Sequence, residues 1–173
     1  GVSATPRVCV ATDPRAPTAT LRVPPGAAPA EQTFTVSVNP VVPPQVFVPS
    51  GGVVSVGRVV EYTAVGVTGT YHFAPGGPCA ELEVPYDPAL VEARAPSVQA
   101  TLRVYQVVNS ATVAPGGALD LALVTAPQTV DRVRHTVRFC TEHLSGYIPV
   151  VTDAACPFGQ TNCAASGAGV ACV

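Results

Sequence analysis

The side chains of this sequence best suited to chemistry are six cysteines, Cys9, Cys79, Cys140, Cys156, Cys163 and Cys172, and three histidines, His72, His135 and His143. Cys140 and His143 have a Cys-x-x-His spacing, and with His135, Cys156 and Cys163 they offer the ligand types of a zinc site. The same even count, in a short chain rich in proline and glycine, suits up to three disulfides in a protein matured in an oxidising compartment. Disulfides are the stronger reading, and no metal or other cofactor is expected. Cys156 with Cys163 is the first expected pair, because only a short polar loop separates them. Cys9, Cys79, Cys140 and Cys172 then remain for two bridges, between strands or from tail to body, with the connectivity open.

Other chemistries lack their residues. All nine basic residues are Arg, so neither a Lys-Asn isopeptide bond nor a side-chain Schiff base can form. Asp13, Asp87, Asp120, Asp131 and Asp153 stand singly, without the spacing of a calcium loop. The chain has no Gly-x-Ser-x-Gly elbow, phosphate loop or carboxylate pair, so an enzyme acting on an outside substrate is not expected. Five tyrosines and no Trp make a weak set for stacking on sugars, and their placement fits strands and core better. Charged residues make up 12% of the chain with a net charge of -2, which gives no electrostatic footprint for nucleic acid.

The elements that must position these residues are strands. Nineteen Pro and fifteen Gly break the chain into short pieces, yet 47% of residues are apolar and the mean hydropathy is +0.36, so the chain should fold. Residues 33–38 alternate strictly, with Phe34, Val36 and Val38 on one face. Residues 18–23 precede them across a Pro24-Pro25-Gly26 turn. Residues 39–52 read as a Pro-rich connection with an edge segment around 46–48.

Further strands are expected over 53–60, 61–67, 70–73, 79–84, 99–108, 119–124 and 146–151, with one helical turn over 89–95. Residues 132–140 alternate again, which puts Val133, His135, Val137 and Phe139 on one side and makes His135 a core or interface residue. His72, beside the Ala74-Pro75-Gly76-Gly77 turn, is read as an ordinary residue. The sum is an all-β, antiparallel β-sandwich over residues 1–152, followed by a disulfide-tied, Cys-rich tail over 153–173 that packs on it or extends from it. No apolar run reaches the roughly 20 residues of a membrane span. Starting at Gly1 with no leader, the sequence reads as a processed, extracellular or cell-surface product.

Three segments carry a resemblance to a known family. Leu21-Arg22-Val23-Pro24-Pro25-Gly26-Ala27 with the strand at 33–38 resembles the opening of the β-sandwich domain of ankyrins, netrin receptors and many secreted bacterial proteins. Tyr71-His72-Phe73-Ala74-Pro75-Gly76-Gly77 followed by Glu81-Leu82-Glu83-Val84-Pro85-Tyr86-Asp87-Pro88 is similar to its central stretch, and His143-Leu144-Ser145-Gly146-Tyr147 to its closing strand. The likeness spans about 18–151; Cys79, where the family usually has an apolar residue, and the Cys-rich tail depart from it.

The resemblance implies one candidate reaction. Some members of that family, like the similar autoproteolysis-inducing domain of adhesion receptors, cut themselves at a His-apolar-Ser/Thr tripeptide. Carried over, the catalytic residues are His143, Leu144 and Ser145. The Ser145 hydroxyl would attack the Leu144 carbonyl while His143 takes its proton. The C–N bond then breaks to leave an ester and a free Ser145 amine, and water hydrolyses the ester. An inert peptide bond must also be distorted, and Gly146 would permit an unusual turn there. In the adhesion receptors paired cysteines brace this turn, whereas here only Cys140 lies immediately upstream. The same tripeptide also serves as the plain start of a closing strand.

The reading that follows is a secreted or surface-displayed structural or interaction module with protein partners, copies of itself included, assembling into a filament or surface layer. Self-processing at Leu144-Ser145 is the alternative.

Overall fold

The computed structural model describes residues 8–28, 31–40, 46–47, 53–94, 100–108 and 119–153. The expected tail after Asp153, with Cys156, Cys163 and Cys172, and the second Ala-Pro-Gly-Gly turn at 114–117 lie outside the described residues.

The first described element is a hairpin, β1 (Cys9–Asp13) against β2 (Ala16–Val23), turned by Asp13-Pro14-Arg15. Alternation then places Ala19, Leu21 and Val23 of β2 in the core. At the expected Pro-Pro-Gly turn Gly26 adopts φ 84°, a left-handed conformation that glycine reaches without a Cβ clash, and Ala27 N–H closes the turn on the Pro24 carbonyl. The chain thereby crosses to the other sheet as β3 (Phe34–Val38), followed by the short β4 (Val46–Phe47) and β5 (Val53–Ser55), then β6 (Val60–Ala64). It returns as β7 (Ala80–Pro85), makes one short helix, α1 (Pro88–Arg94), and continues with β8 (Ala100–Val107) and β9 (Leu119–Leu123). The last described strands are β10 (Gln128–Asp131), β11 (Thr136–Thr141) and β12 (Gly146–Asp153).

Two sheets result. One runs β1-β2-β7-β11-β10, the other β3-β6-β12-β8-β9-β4 with β5 also paired to β12. Among the described residues pairing is antiparallel except between β4 and β9. The all-β sandwich is therefore the fold. Its main core joins Leu21, Leu82, Val84, Val137 and Phe139 of the first sheet to Val36, Val60, Tyr62, Val104 and Tyr147 of the second. The second sheet is apolar on both faces, with Tyr105, Val107, Leu121, Ile148 and Val150 forming a separate buried cluster.

Two polar side chains tie the sheets together at their borders by bonding bare backbone. Asp13 of β1 accepts Val38 N–H of β3 at 2.7 Å and Arg15 N–H at 2.8 Å. Gln128 of β10 accepts Val104 N–H of β8 at 2.7 Å and donates back to the Val104 carbonyl at 3.0 Å, taking the place of a neighbouring strand. The two N–H bonds hold the Asp13 carboxyl below its ordinary value of 3.8. A lowered folded pKa stabilises above the unfolded value and loses that contribution as pH falls through the folded one. Asp13→Ala is thus expected to lower the thermal midpoint at neutral pH, with the gap to the native protein closing as pH drops below 3.8. A gap independent of pH would contradict this role.

Several expected strands are corrected. The strand expected over 132–140 begins only at Thr136; Arg132 to His135 form the loop of the β10–β11 hairpin, Val133 is 90% exposed, and His135 is exposed. Asp131 captures Val133 N–H and Arg134 N–H, both at 3.0 Å, and His135 leaves the loop at φ 56°. An aspartate bonding backbone two and three residues on makes a turn whatever the side-chain alternation suggests. Residues 53–60 split into β5 and the start of β6, because Pro149 of β12 has no N–H to continue a ladder. Residues 70–73 form no strand, only an isolated bridge from His72 to His143.

Candidate functional site

The chain reaches the candidate tripeptide from β11, whose Cys140 is bonded to Cys79 just before β7. The strand register explains the pair: Cys140 stands opposite Glu81, so Cys79 lies diagonally across on the same face. The sequence left the partner of Cys140 open among Cys9, Cys79 and Cys172; the structure pairs it with Cys79, and the approach to His143 is braced. Cys9 is exposed and bonded to no described cysteine.

The backbone of the tripeptide is pinned on both sides. Leu144 N–H donates to the Tyr71 carbonyl at 2.9 Å, and the Ser145 carbonyl accepts Tyr62 N–H at 3.1 Å. The His143 carbonyl accepts the hydroxyls of Thr141 at 2.8 Å and Tyr147 at 3.3 Å. The Leu144 side chain is buried in the main core. Among the described residues no peptide bond is cis, and His135 is the only non-glycine residue with a positive φ. Gly146 is not used for an unusual turn, contrary to expectation. A Cβ there would come within 2.8 Å of the Glu61 carboxylate, so the glycine provides clearance for that side chain.

The side chains of His143 and Ser145 meet through Gln106 of β8. His143 Nε2 lies 3.3 Å from Gln106 Oε1, and Gln106 Nε2 donates to Ser145 Oγ at 3.3 Å. Because the amide nitrogen is the donor toward serine, its oxygen must accept, which assigns the proton to His143 Nε2 and leaves Nδ1 with a lone pair. Burial and the neighbouring His72 both push the His143 pKa below its ordinary 6.5, against the pull of Glu142, so the ring is neutral at neutral pH.

Gln106 also separates two clefts. One, of about 430 Å³, is lined by the disulfide, Thr141, Glu142, His143 and Tyr147; the other, of about 620 Å³, by Glu61, Thr63, Tyr71, Leu144 and Ser145. The tripeptide therefore forms the partition between them. Gln106 is the member that sequence reading missed. It stands in β8, far from the tripeptide in the chain, and only the β8–β12 register, with Gln106 opposite Tyr147, puts it there.

His72, read as ordinary, faces His143 across an antiparallel bridge, with ring centroids 5.9 Å apart. His135 is remote from both; its ring meets the edge of Tyr86 in the β10–β11 turn region. Among the described residues no three His, Cys, Asp or Glu side chains converge as a metal site, and no helix is long and apolar enough to cross a membrane.

Comparison of the chain with protein families and with curated proteins finds no match.

Proposed function

We propose that this chain is a structural module of an extracellular protein, joining protein surfaces, copies of itself first, through the open edge of β1. The observation that carries this reading is the character of that edge. Among the described residues β1 pairs with β2 alone; Val10 in the strand is 54% exposed beside an exposed Cys9, and Val8 just before it is 46% exposed. An edge strand offers unpaired N–H and C=O groups, and proteins that must stay apart blunt it with charge or proline. Between Val8 and Thr12 the described edge carries no charge, although Arg7 precedes it in the sequence. A disulfide between strands fits an oxidising setting, and the motifs shared with the receptor-type sandwich fit a module of a larger surface assembly.

Sedimentation of the native protein is expected to show concentration-dependent association that Val10→Arg abolishes without changing the fold. Monomers at every concentration would overturn the reading.

One observation favours self-processing as a second reading: the Gln106 amide touches both His143 and Ser145. In that reading the amide orients the two groups, and cleavage yields fragments ending at Leu144 and beginning at Ser145. The extended, doubly bonded backbone at this point supplies no distortion to help. Intact mass under denaturing conditions separates the readings. A single species that Ser145→Ala leaves unchanged eliminates self-cleavage and leaves the structural role.

A further inference from the structure

His72 and His143 are directly opposite each other, and the hydrogen bonds around them define the kind of pair. Phe73 N–H donates to the Glu142 carbonyl at 2.8 Å and Leu144 N–H to the Tyr71 carbonyl at 2.9 Å, one residue to either side. The histidines thus occupy a non-hydrogen-bonded position, where opposite Cα atoms approach to about 4.5 Å and side chains are closest. Their ring centroids are 5.9 Å apart, with planes inclined by 42°. Two imidazoles sharing one ion at about 2.0–2.1 Å from each nitrogen place their centroids roughly 5–6 Å apart.

We propose that His72 and His143 form a two-histidine site for a divalent transition-metal ion of the zinc class. Gln106 prepares the second ligand. By accepting the proton of His143 Nε2 it fixes the tautomer whose Nδ1 lone pair is free to bind, the orienting role that outer partners play at metal-bound histidines. His72 is exposed and can adjust its ring, whereas His143 is held. No third protein ligand converges among the described residues, so water completes the coordination and the site stays open on one side. Such a site binds reversibly, and a further ligand from another protein can replace the water.

The test is calorimetric titration of the oxidised full chain with Zn²⁺ alone, in a buffer that does not bind zinc. One equivalent is expected to bind and to raise the thermal midpoint, since the ion favours the folded state. His72→Gln, at an exposed position, is expected to fold normally and weaken binding by about tenfold or more. His143→Gln should do the same, while His135→Gln, in the distant hairpin loop, leaves binding unchanged. Absence of zinc binding, or binding that His72→Gln does not weaken, overturns the proposal. The readout is independent of self-association, so its failure is distinguishable from failure of the β1-edge reading.

Discussion

Replacing both Cys79 and Cys140 by Ser is expected to lower the unfolding free energy by about 4 kcal/mol and the thermal midpoint by about 10 °C. The bridge spans 61 residues, so cutting it returns a long loop of conformational freedom to the unfolded chain. It also releases the ends of two central strands, since β7 and β11 pair over Ala80–Pro85 and Thr136–Thr141. Three residues on lies His143, so loosening here should also raise hydrogen exchange at Leu144 N–H. Denaturant titration of the double variant beside the native protein, each with and without reductant, checks the estimate. Reductant should bring the native protein down toward the variant. A variant as stable as the native protein would mean that the pairing contributes nothing to the fold.

The second large effect is at Tyr62. Its side chain is 1% exposed, its hydroxyl crosses the sandwich from β6 to donate to the Glu83 carbonyl of β7 at 2.8 Å, and its ring meets the edge of Tyr147 at 5.9 Å. Tyr62→Ala is expected to cost about 3–5 kcal/mol through the cavity it leaves. Tyr62→Phe keeps the ring and loses the bond, for about 1 kcal/mol. Burial pushes the phenol of Tyr62 well above its ordinary 10.0, so it stays protonated in the folded protein while the unfolded chain releases its proton. The fold therefore loses stability as pH rises past 10.0, and Tyr62→Phe is expected to shallow that decline. Urea midpoints across neutral and alkaline pH measure both effects; a Phe variant with an unchanged alkaline slope would place the titration elsewhere.

The two sulfur positions and the tyrosine illustrate what can be read along a chain and what cannot. Even cysteine count and composition led to disulfides, but the choice of Cys79 for Cys140 depends on which residue stands opposite Glu81, a matter of register between strands 51 residues or more apart in β7 and β11. Alternation located Phe34, Val36 and Val38 on the inner face because one side of β3 meets the core and the other does not. The same test misled at Val133 and His135, where the bonds of Asp131 to backbone made a turn that side-chain pattern cannot report. It was silent at Ile148 and Val150, since a strand buried on both faces has no period to show. At the candidate site, His143, Leu144 and Ser145 were legible as a tripeptide. Gln106 and His72, which decide what those residues touch, were not.

What the sequence determined by itself is the class of object: short Val-rich segments cut by Pro and Gly, too apolar to stay unfolded and too poor in charge for nucleic acid, fold as a β-sandwich. Local preference and period are properties of neighbouring residues, so they survive without coordinates. Only the tertiary structure decided that Cys79 meets Cys140, that Gln106 stands between histidine and serine, that His72 faces His143, and that among the described residues β1 pairs with β2 alone. Each of these is set by the pairing and stacking of strands distant in the chain, and register between such strands is settled by the packing of the whole core.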